Sequence, residues 1–121
     1  PVRIYASDID KEAVELSVEN ARRAGVDKYI NFSVCDATKA EFFTDKGVIV
    51  CNPPYGERLM DKKSCSVLYC KMGKHFCKFP NAGKYILTSF EDFEKCYGRE
   101  ADKRRKLYNG MLKCCLYQYF K

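Results

Sequence analysis

The amino-acid sequence predicts an α/β fold in which parallel strands alternate with helices and an antiparallel hairpin follows at the end. Three observations support this prediction. Short apolar or alternating runs are separated by stretches with helical spacing. Three of these runs end in a polar side chain, at Asp8, Asp36 and Asn52. Two β-rich runs flank Asn109-Gly110, a dipeptide typical of tight hairpins.

The first two strands enclose a helix with clear end signals. VRIYASD predicts a strand ending at Asp8, and Asp10 can cap a helix that Gly25 closes. The apolar residues between them follow helical spacing: Val14, Val18 and Ala21. The alternation in YINFSVCD then predicts a second strand that ends at Asp36.

The third strand leads into an unusually stiff exit, in the stretch GVIVCNPPYGERL. The β-branched run suits a strand that is covered on both faces, as in parallel sheets. Pro53 fixes its own φ, and Pro54 restricts Pro53 to an extended conformation. Open α/β sheets bind ligands at the carboxyl ends of such strands, so this exit is a candidate binding loop.

The second half continues the alternation. Residues 64–79 predict a helix that Pro80 ends, with an apolar face formed by Leu68, Met72, Phe76 and Phe79. KYILTSF predicts the next strand, and Ser89 with Asp92 resembles a capping box for a short helix. The hairpin around Asn109-Gly110 completes the order.

Composition excludes several classes of protein. The 121 residues, 46% hydrophobic and 31% charged, are typical of one small globular domain or a piece of a larger one, and argue against disorder. No apolar run approaches the roughly 18 residues of a membrane helix, and no signal segment is recognisable. The net charge of +6 modestly favours a polyanionic partner.

The eight cysteines do not form a metal or disulfide pattern. They contain no C-x-x-C pair, and the only histidine is His75, which argues against zinc. Several lie within apolar strand or helix patterns rather than in a loop-rich scaffold. We therefore expect reduced cysteines in a cytoplasmic protein, without a metal site or a membrane partner.

The polar strand ends suit a nucleoside ligand. Either aspartate alone is usually a turn or cap residue. Three such residues on parallel strands would line one crevice, where a carboxylate can accept hydrogen bonds from ribose hydroxyls and a second acceptor can bind an adenine amino group. The run KRRK, residues 103–106, is either a solvated strand end or a phosphate contact, and Tyr108, Tyr117 and Tyr119 are either sheet residues or base-stacking rings.

IYASDID, VCDAT and NPPYGERL resemble the second, third and fourth sequence blocks of class I S-adenosylmethionine-dependent methyltransferases. With ILTSFEDFEK and KRRKLYNGMLKCCLYQY, the whole chain resembles the bacterial ribosomal RNA guanine-N2 methyltransferases, long described as N6-adenine-specific methylases. The resemblance implies a partial Rossmann-like sheet and methylation of an exocyclic amino group in RNA, foremost guanine N2 in 23S ribosomal RNA. N6-adenine methylation of RNA or DNA, a non-catalytic RNA-binding fragment and a nucleotide-binding oxidoreductase are the alternatives.

The resemblance also implies site residues. Asp8 would bind the ribose of S-adenosylmethionine with Ile9 against the adenine, and Asp36 with Ala37 would bind the adenine edge. The catalytic residues would be Asn52, Pro53, Pro54 and Tyr55, with Asn52 also next to the cofactor. The Asn52 side-chain oxygen and the Pro53 carbonyl would accept hydrogen bonds from the target amine, and Tyr55 would stack on the base.

One family feature is missing from the sequence. Members carry a glycine-rich first block, and usually an RNA-binding domain before it, whereas no G-x-G occurs here. We therefore interpret residues 1–121 as the C-terminal portion of a catalytic domain, whose partners would be RNA and a preceding polypeptide. In that arrangement the strands carrying Ile4 and Ile49 are not neighbours, because the family's first strand lies between them.

Overall fold

The computed structural model describes residues 3–41, 46–53 and 62–120. The chain divides into two compact units, Pro1–Glu41 and Phe42–Lys121, and each has its own sheet. Both units contain a parallel strand pair, and the second also contains an antiparallel hairpin. The predicted α/β class is therefore confirmed.

The first unit consists of a parallel strand pair and a helix. Strand β1 (Ile4–Asp8) pairs with β2 (Ile30–Val34), and α1 (Lys11–Ala24) lies between them in sequence. The predicted helix ends are confirmed. Asp10 accepts a hydrogen bond from the Glu12 backbone N–H at 3.0 Å, and Gly25 closes the helix with a left-handed φ of 75°.

The end of β2 differs from the prediction. The strand ends at Val34, two residues before Asp36. Asp36 instead begins a short 3₁₀ turn over Ala37–Lys39, because its carboxylate accepts the backbone N–H of Thr38. A local side-chain hydrogen bond of this kind competes with continuation of the strand ladder.

The second unit is built on a four-stranded sheet. Its strands are β3 (Val48–Cys51), β4 (Gly83–Thr88), β5 (Lys103–Asn109) and β6 (Leu112–Tyr119). The spatial order is β3-β4-β6-β5, with β3 parallel to β4 and β6 antiparallel to its two neighbours. Because Asn109 pairs with Leu112, the two-residue turn is Gly110-Met111, and Gly110 supplies its positive φ of 66°.

Two helices cover one face of this sheet and form the core with it. They are α2 (Lys62–Phe76) and α3 (Phe93–Tyr97). The buried cluster comprises Cys65, Tyr69, Met72, Phe76, Ile86, Phe90, Phe93, Tyr117 and Tyr119. The Tyr69 hydroxyl is hydrogen-bonded to Thr88 Oγ1 at 2.8 Å, so the polar atoms at the centre of the core are satisfied.

Two predicted helix ends in this unit are wrong. Helix α2 ends at Phe76 rather than at residue 79, because the chain tightens into i→i+3 hydrogen bonds before Pro80. Ser89 does not cap the short helix, which begins after Asp92 without a side-chain cap. The Thr88 hydroxyl accepts the Phe90 N–H at 3.1 Å instead.

The strands that carry Ile4 and Ile49 belong to different sheets of the described residues and do not pair with each other, as predicted. Within the residues that the structure describes, β1 pairs only with β2, and β3 pairs only with β4. None of the three α-helices described is long and apolar enough to cross a membrane.

Candidate functional site

Asp8 lies at the carboxyl end of β1 with an exposed side chain. Its Oδ1 accepts a hydrogen bond from the backbone N–H of Asp10 at 2.9 Å, which fixes the carboxylate beside the start of α1. Among the described residues, Oδ2 has no hydrogen-bond partner. Asp8 is therefore both a turn residue and a carboxylate with one oxygen available to a ligand.

Asp36 is held in a similar way but is half-buried. Its Oδ1 accepts hydrogen bonds from Thr38, at 2.9 Å from the backbone N–H and at 2.7 Å from the hydroxyl. Thr38 was not among the site residues predicted from the sequence. The signal was the D-A-T spacing, since a residue two positions after an aspartate can donate to it.

The two carboxylates lie at the same edge of the β1-β2 sheet. Asp8 is paired with Val34, and the Cys35 N–H donates to the Asp8 carbonyl at 3.0 Å, so Asp36 follows directly. Ile9 is 70% exposed next to Asp8. Acceptors and an exposed aliphatic side chain at the ends of neighbouring parallel strands fit a nucleoside, whose diol donates hydrogen bonds and whose base has flat faces that suit an aliphatic contact.

Asn52 belongs to the second unit, where it directly follows β3. The side chain of Asn52 is exposed, whereas the next residue, Pro53, is buried. The exposed amide is therefore attached to backbone that is anchored by a buried neighbour. Cys51, by contrast, packs against the hydrophobic core. Burial there raises the pKa of its thiol to about 11. The thiol next to Asn52 is therefore neutral at physiological pH.

The remaining candidate site residues are either outside the described part of the chain or are tyrosines of the hairpin. Pro54 and Tyr55 lie outside the described residues, so their roles stay predictions. Tyr117 and Tyr119 are buried in the core and cannot stack on a base, whereas Tyr108 is 69% exposed. Tyr117 and Tyr119 are therefore sheet residues of the core, and only Tyr108 of the three remains a candidate for stacking on a base.

The chain matches a known family and its relatives over nearly its full length. Residues 1–118 match UPF0020, described as an RMKL-like methyltransferase domain. The chain is 45% identical over 120 residues to the protein named "Putative RNA methyltransferase YpsC" of Bacillus subtilis (strain 168), covering 99% of this chain and 31% of that protein. It is 42% identical over 120 residues to "Ribosomal RNA large subunit methyltransferase K/L" of Aliivibrio fischeri (strain ATCC 700601 / ES114), covering 97% and 17%.

A solved structure agrees with these relatives. The crystal structure of SMU.472 complexed with SAH (S-adenosylhomocysteine) superposes with a TM-score of 0.92 at 41% identity, covering 97% of this chain and 31% of that chain. The chain thus spans about a third or less of the length of the proteins it resembles. Because the family model covers all but its last three residues, the chain belongs to the UPF0020 family of RMKL-like methyltransferase domains.

Proposed function

We propose that residues 1–121 are the C-terminal portion of the catalytic domain of an S-adenosylmethionine-dependent RNA methyltransferase. The observation that carries this proposal is the set of polar groups at the ends of parallel strands. Asp8 ends β1 and Asp36 follows the neighbouring β2 in the first unit, and Asn52 follows a parallel strand of the second. The names of the two relatives support RNA as the substrate, which would be methylated in the cytoplasm.

S-adenosylmethionine is the cofactor of this proposal, and the SAH found in SMU.472 supports it. When bound, the cofactor supplies an electrophilic methyl group. Asp8 would accept hydrogen bonds from its ribose hydroxyls, with Ile9 against the adenine. Asp36 and Ala37 would hold the adenine edge.

Asn52 and Pro53 would orient the target amine. An exocyclic amino nitrogen is a poor nucleophile because its lone pair is delocalised into the base. Two fixed acceptors, the Asn52 side-chain oxygen and the Pro53 carbonyl, would favour a pyramidal nitrogen with its lone pair directed at the methyl group. Pro54 would hold the Pro53 carbonyl in place and Tyr55 would stack on the extruded base. No strong base is needed in this arrangement.

The finer proposal concerns the base. We assign guanine N2 in 23S ribosomal RNA as the target, and the K/L name of the Aliivibrio fischeri relative supports ribosomal RNA. Adenine N6 is the second candidate, because two acceptors after a strand would orient either amine. Nucleoside mass analysis of ribosomal RNA from cells lacking the gene distinguishes them: loss of N2-methylguanosine supports the first, and loss of N6-methyladenosine the second.

A preceding polypeptide is part of the proposal. It would supply the glycine-rich loop, a strand beside β1 and β3, and an RNA-binding domain. The exposed apolar residues of β1 support this, since Ile4 and Tyr5 are 46% and 51% exposed. We expect residues 1–121 alone neither to unfold cooperatively nor to bind S-adenosylmethionine. Tight cofactor binding by the isolated chain would contradict this.

The direct test is Asn52→Ala in the full-length protein. Loss of one preorganised acceptor should lower kcat for methyl transfer about a hundredfold or more while cofactor affinity stays nearly unchanged. Asn20→Ala, an exposed amide on α1, is the matched control and should keep both values. A loss of only a few fold at Asn52 would show that the assigned role is wrong.

A further inference from the structure

The net charge of the chain is confined to its C-terminal hairpin. Residues 103–121 contain six of the 22 Lys and Arg residues and none of the 16 Asp and Glu residues. The preceding 102 residues therefore carry 16 charges of each sign, and the hairpin accounts for the whole formal charge of +6. Such a separation concentrates the attraction for a polyanion in one element.

The basic residues lie on the outermost strand of the sheet. β5 is at the end of the order β3-β4-β6-β5, and its residues 103–108 are all exposed. One of its cations is already neutralised, because Arg104 Nε lies 2.8 Å from Glu94 Oε1. The neighbouring Asp102 is engaged too, with Arg99 at 3.4 Å and with the Phe120 N–H at 2.8 Å.

Four other cations of the hairpin form no ion pair with a described residue. Within the part of the chain that the structure describes, no ion pair involves Lys103, Arg105, Lys106 or Lys113. Edge strands often carry lysines that prevent pairing with other chains. That role requires neither four uncompensated cations nor an exposed aromatic ring among them.

The strand register groups an aromatic ring with two of these cations. Tyr108 is paired with Lys113 across the hairpin, and Lys106 precedes Tyr108 by two residues, so the three side chains share one face. Lys106 and Tyr108 are about 6.8 Å apart along the strand. Tyr108 is 69% exposed, so its ring is accessible beside two positive charges. Arg105 lies on the opposite face of the same strand.

We propose that the β5–β6 hairpin binds a single-stranded segment of the substrate RNA. Tyr108 stacks on a base, and Lys106 and Lys113 contact phosphates on the same face. Arg105 contacts a phosphate on the opposite face of this edge strand. Proteins bind single strands through this combination of a positive surface and an aromatic platform. The identity of the RNA as substrate rests on the proposed function, whereas the binding surface rests on the charge, exposure and register of the hairpin.

Charge removal tests the phosphate contacts in the full-length protein. The triple variant Arg105→Gln, Lys106→Gln, Lys113→Gln should lower the affinity for a fluorescent single-stranded RNA roughly 10- to 100-fold at about 0.1 M salt. The plot of log K against log salt should become shallower by about 2, at about 0.7 per phosphate contact. The control is Lys63→Gln, Lys71→Gln, Lys74→Gln, which removes the same charge from exposed positions of α2. Equal effects in the two triple variants overturn the proposal.

Tyr108→Leu tests the stacking contact separately. The affinity should fall roughly tenfold with an unchanged salt slope, because the lost contact carries no charge. Tyr29→Leu is the matched control: Tyr29 is 56% exposed, and Lys28 Nζ lies 5.2 Å from its ring centre. An equal loss at Tyr29, or none at Tyr108, overturns the stacking role.

Two further measurements separate this inference from the proposed function. The hairpin variants should keep the wild-type affinity for S-adenosylhomocysteine and raise KM for RNA more than they lower kcat. Wild-type methylation of RNA together with an unaffected hairpin triple variant overturns only the binding surface. A wild-type protein that binds RNA through the hairpin but never methylates it overturns only the proposed function. Binding to phosphatidylserine vesicles and not to RNA overturns the RNA partner.

Discussion

The two units use their apolar residues differently. Ala21 is the only buried hydrophobic residue within residues 3–41 of the first unit, where seven large ones are at least 40% exposed: Ile4, Tyr5, Ile9, Leu16, Val26, Tyr29 and Val34. The described residues of the second unit include nine that form one buried cluster. Two strands and a helix bury too little apolar surface to be stable alone. The second unit is therefore the main source of stability, whereas the first carries the candidate ligand-binding carboxylates and has little apolar core of its own.

The largest expected effect breaks the core of the second unit. Phe93 is fully buried, and its ring centre lies 4.7 Å from that of Tyr117 and 5.0 Å from that of Tyr69. Phe93→Ala should lower the free energy of unfolding by about 3–5 kcal/mol, measured by urea denaturation of the full-length protein. Val67→Ala, on α2 at 49% exposure, should change it by about 0.5 kcal/mol or less. A loss of similar size at Val67 would contradict the assignment of this stability to the buried cluster.

The next effect is on ligand binding by the first unit. Asp8→Asn keeps an oxygen for the Asp10 N–H but replaces the second acceptor by a donor. Cofactor affinity of the full-length protein should weaken by about 1.5–3 kcal/mol, measured by calorimetry. Asp10→Ala should instead lower stability by about 1 kcal/mol, through loss of the α1 cap, with little change in affinity. Unchanged affinity in Asp8→Asn would leave Asp8 as a turn residue.

Helix packing in the second unit gives a smaller effect. A Cβ added at Gly73 of α2 would overlap the backbone carbonyl of Tyr97 at the end of α3. Gly73→Ala should therefore lower the free energy of unfolding by about 1–3 kcal/mol, although alanine favours helices by about 1 kcal/mol. Cys70→Ala, at an exposed position on the same helix, should be close to neutral. A stabilised Gly73→Ala would contradict the close approach of the two helices.

The smallest effect depends on pH. Burial in the folded state raises the pKa of the Cys51 thiol from 9.0 to about 11. Between about pH 9 and about pH 11 the folded protein therefore keeps a proton on this thiol that the unfolded chain loses. Stability from this group is therefore complete below pH 9 and decreases as pH rises, by about 1 kcal/mol at pH 10. Cys51→Ala should flatten the dependence of the urea midpoint on pH between 8 and 10, whereas Cys70→Ala should not. Parallel curves for the two variants would be evidence against a buried neutral thiol.

Local signals predicted the local parts of the fold. Asp10 and Gly25 define the ends of α1 because a capping carboxylate and a left-handed residue act within one turn of the chain. The prediction that α2 extends to residue 79 was wrong because the structure there depends on a non-local contact. After Phe76 the chain turns so that the Phe79 carbonyl can accept Lys84 Nζ at 2.6 Å, a contact made by the next strand. No local pattern contains that partner.

In the candidate site, too, features set by nearby residues could be predicted and those set by distant residues could not. Parallel pairing places Asp8 and Asp36 at one edge, as their positions at strand ends predicted. The hydrogen bonds that fix them come from residues two positions later and could be inferred from Asx-turn chemistry. The ion pair of Arg104, which sets it apart from the rest of the KRRK run among the described residues, could not be predicted, because its partner Glu94 lies on α3.

The register of the second sheet also affects how the unit forms during synthesis. Val48 of β3 pairs with Gly83, 35 residues later, whereas Asn109 pairs with Leu112 after only three. At about 5–20 residues per second, β3 leaves the ribosome roughly 2–7 s before its first partner. For that time Val48 and Val50 lack their partners in β4, and they are still 67% and 77% exposed once β3 and β4 are paired. The strand that leads to Asn52 is therefore apolar and incompletely paired while β4 is being made, a state in which nascent chains are prone to aggregate and chaperones protect them.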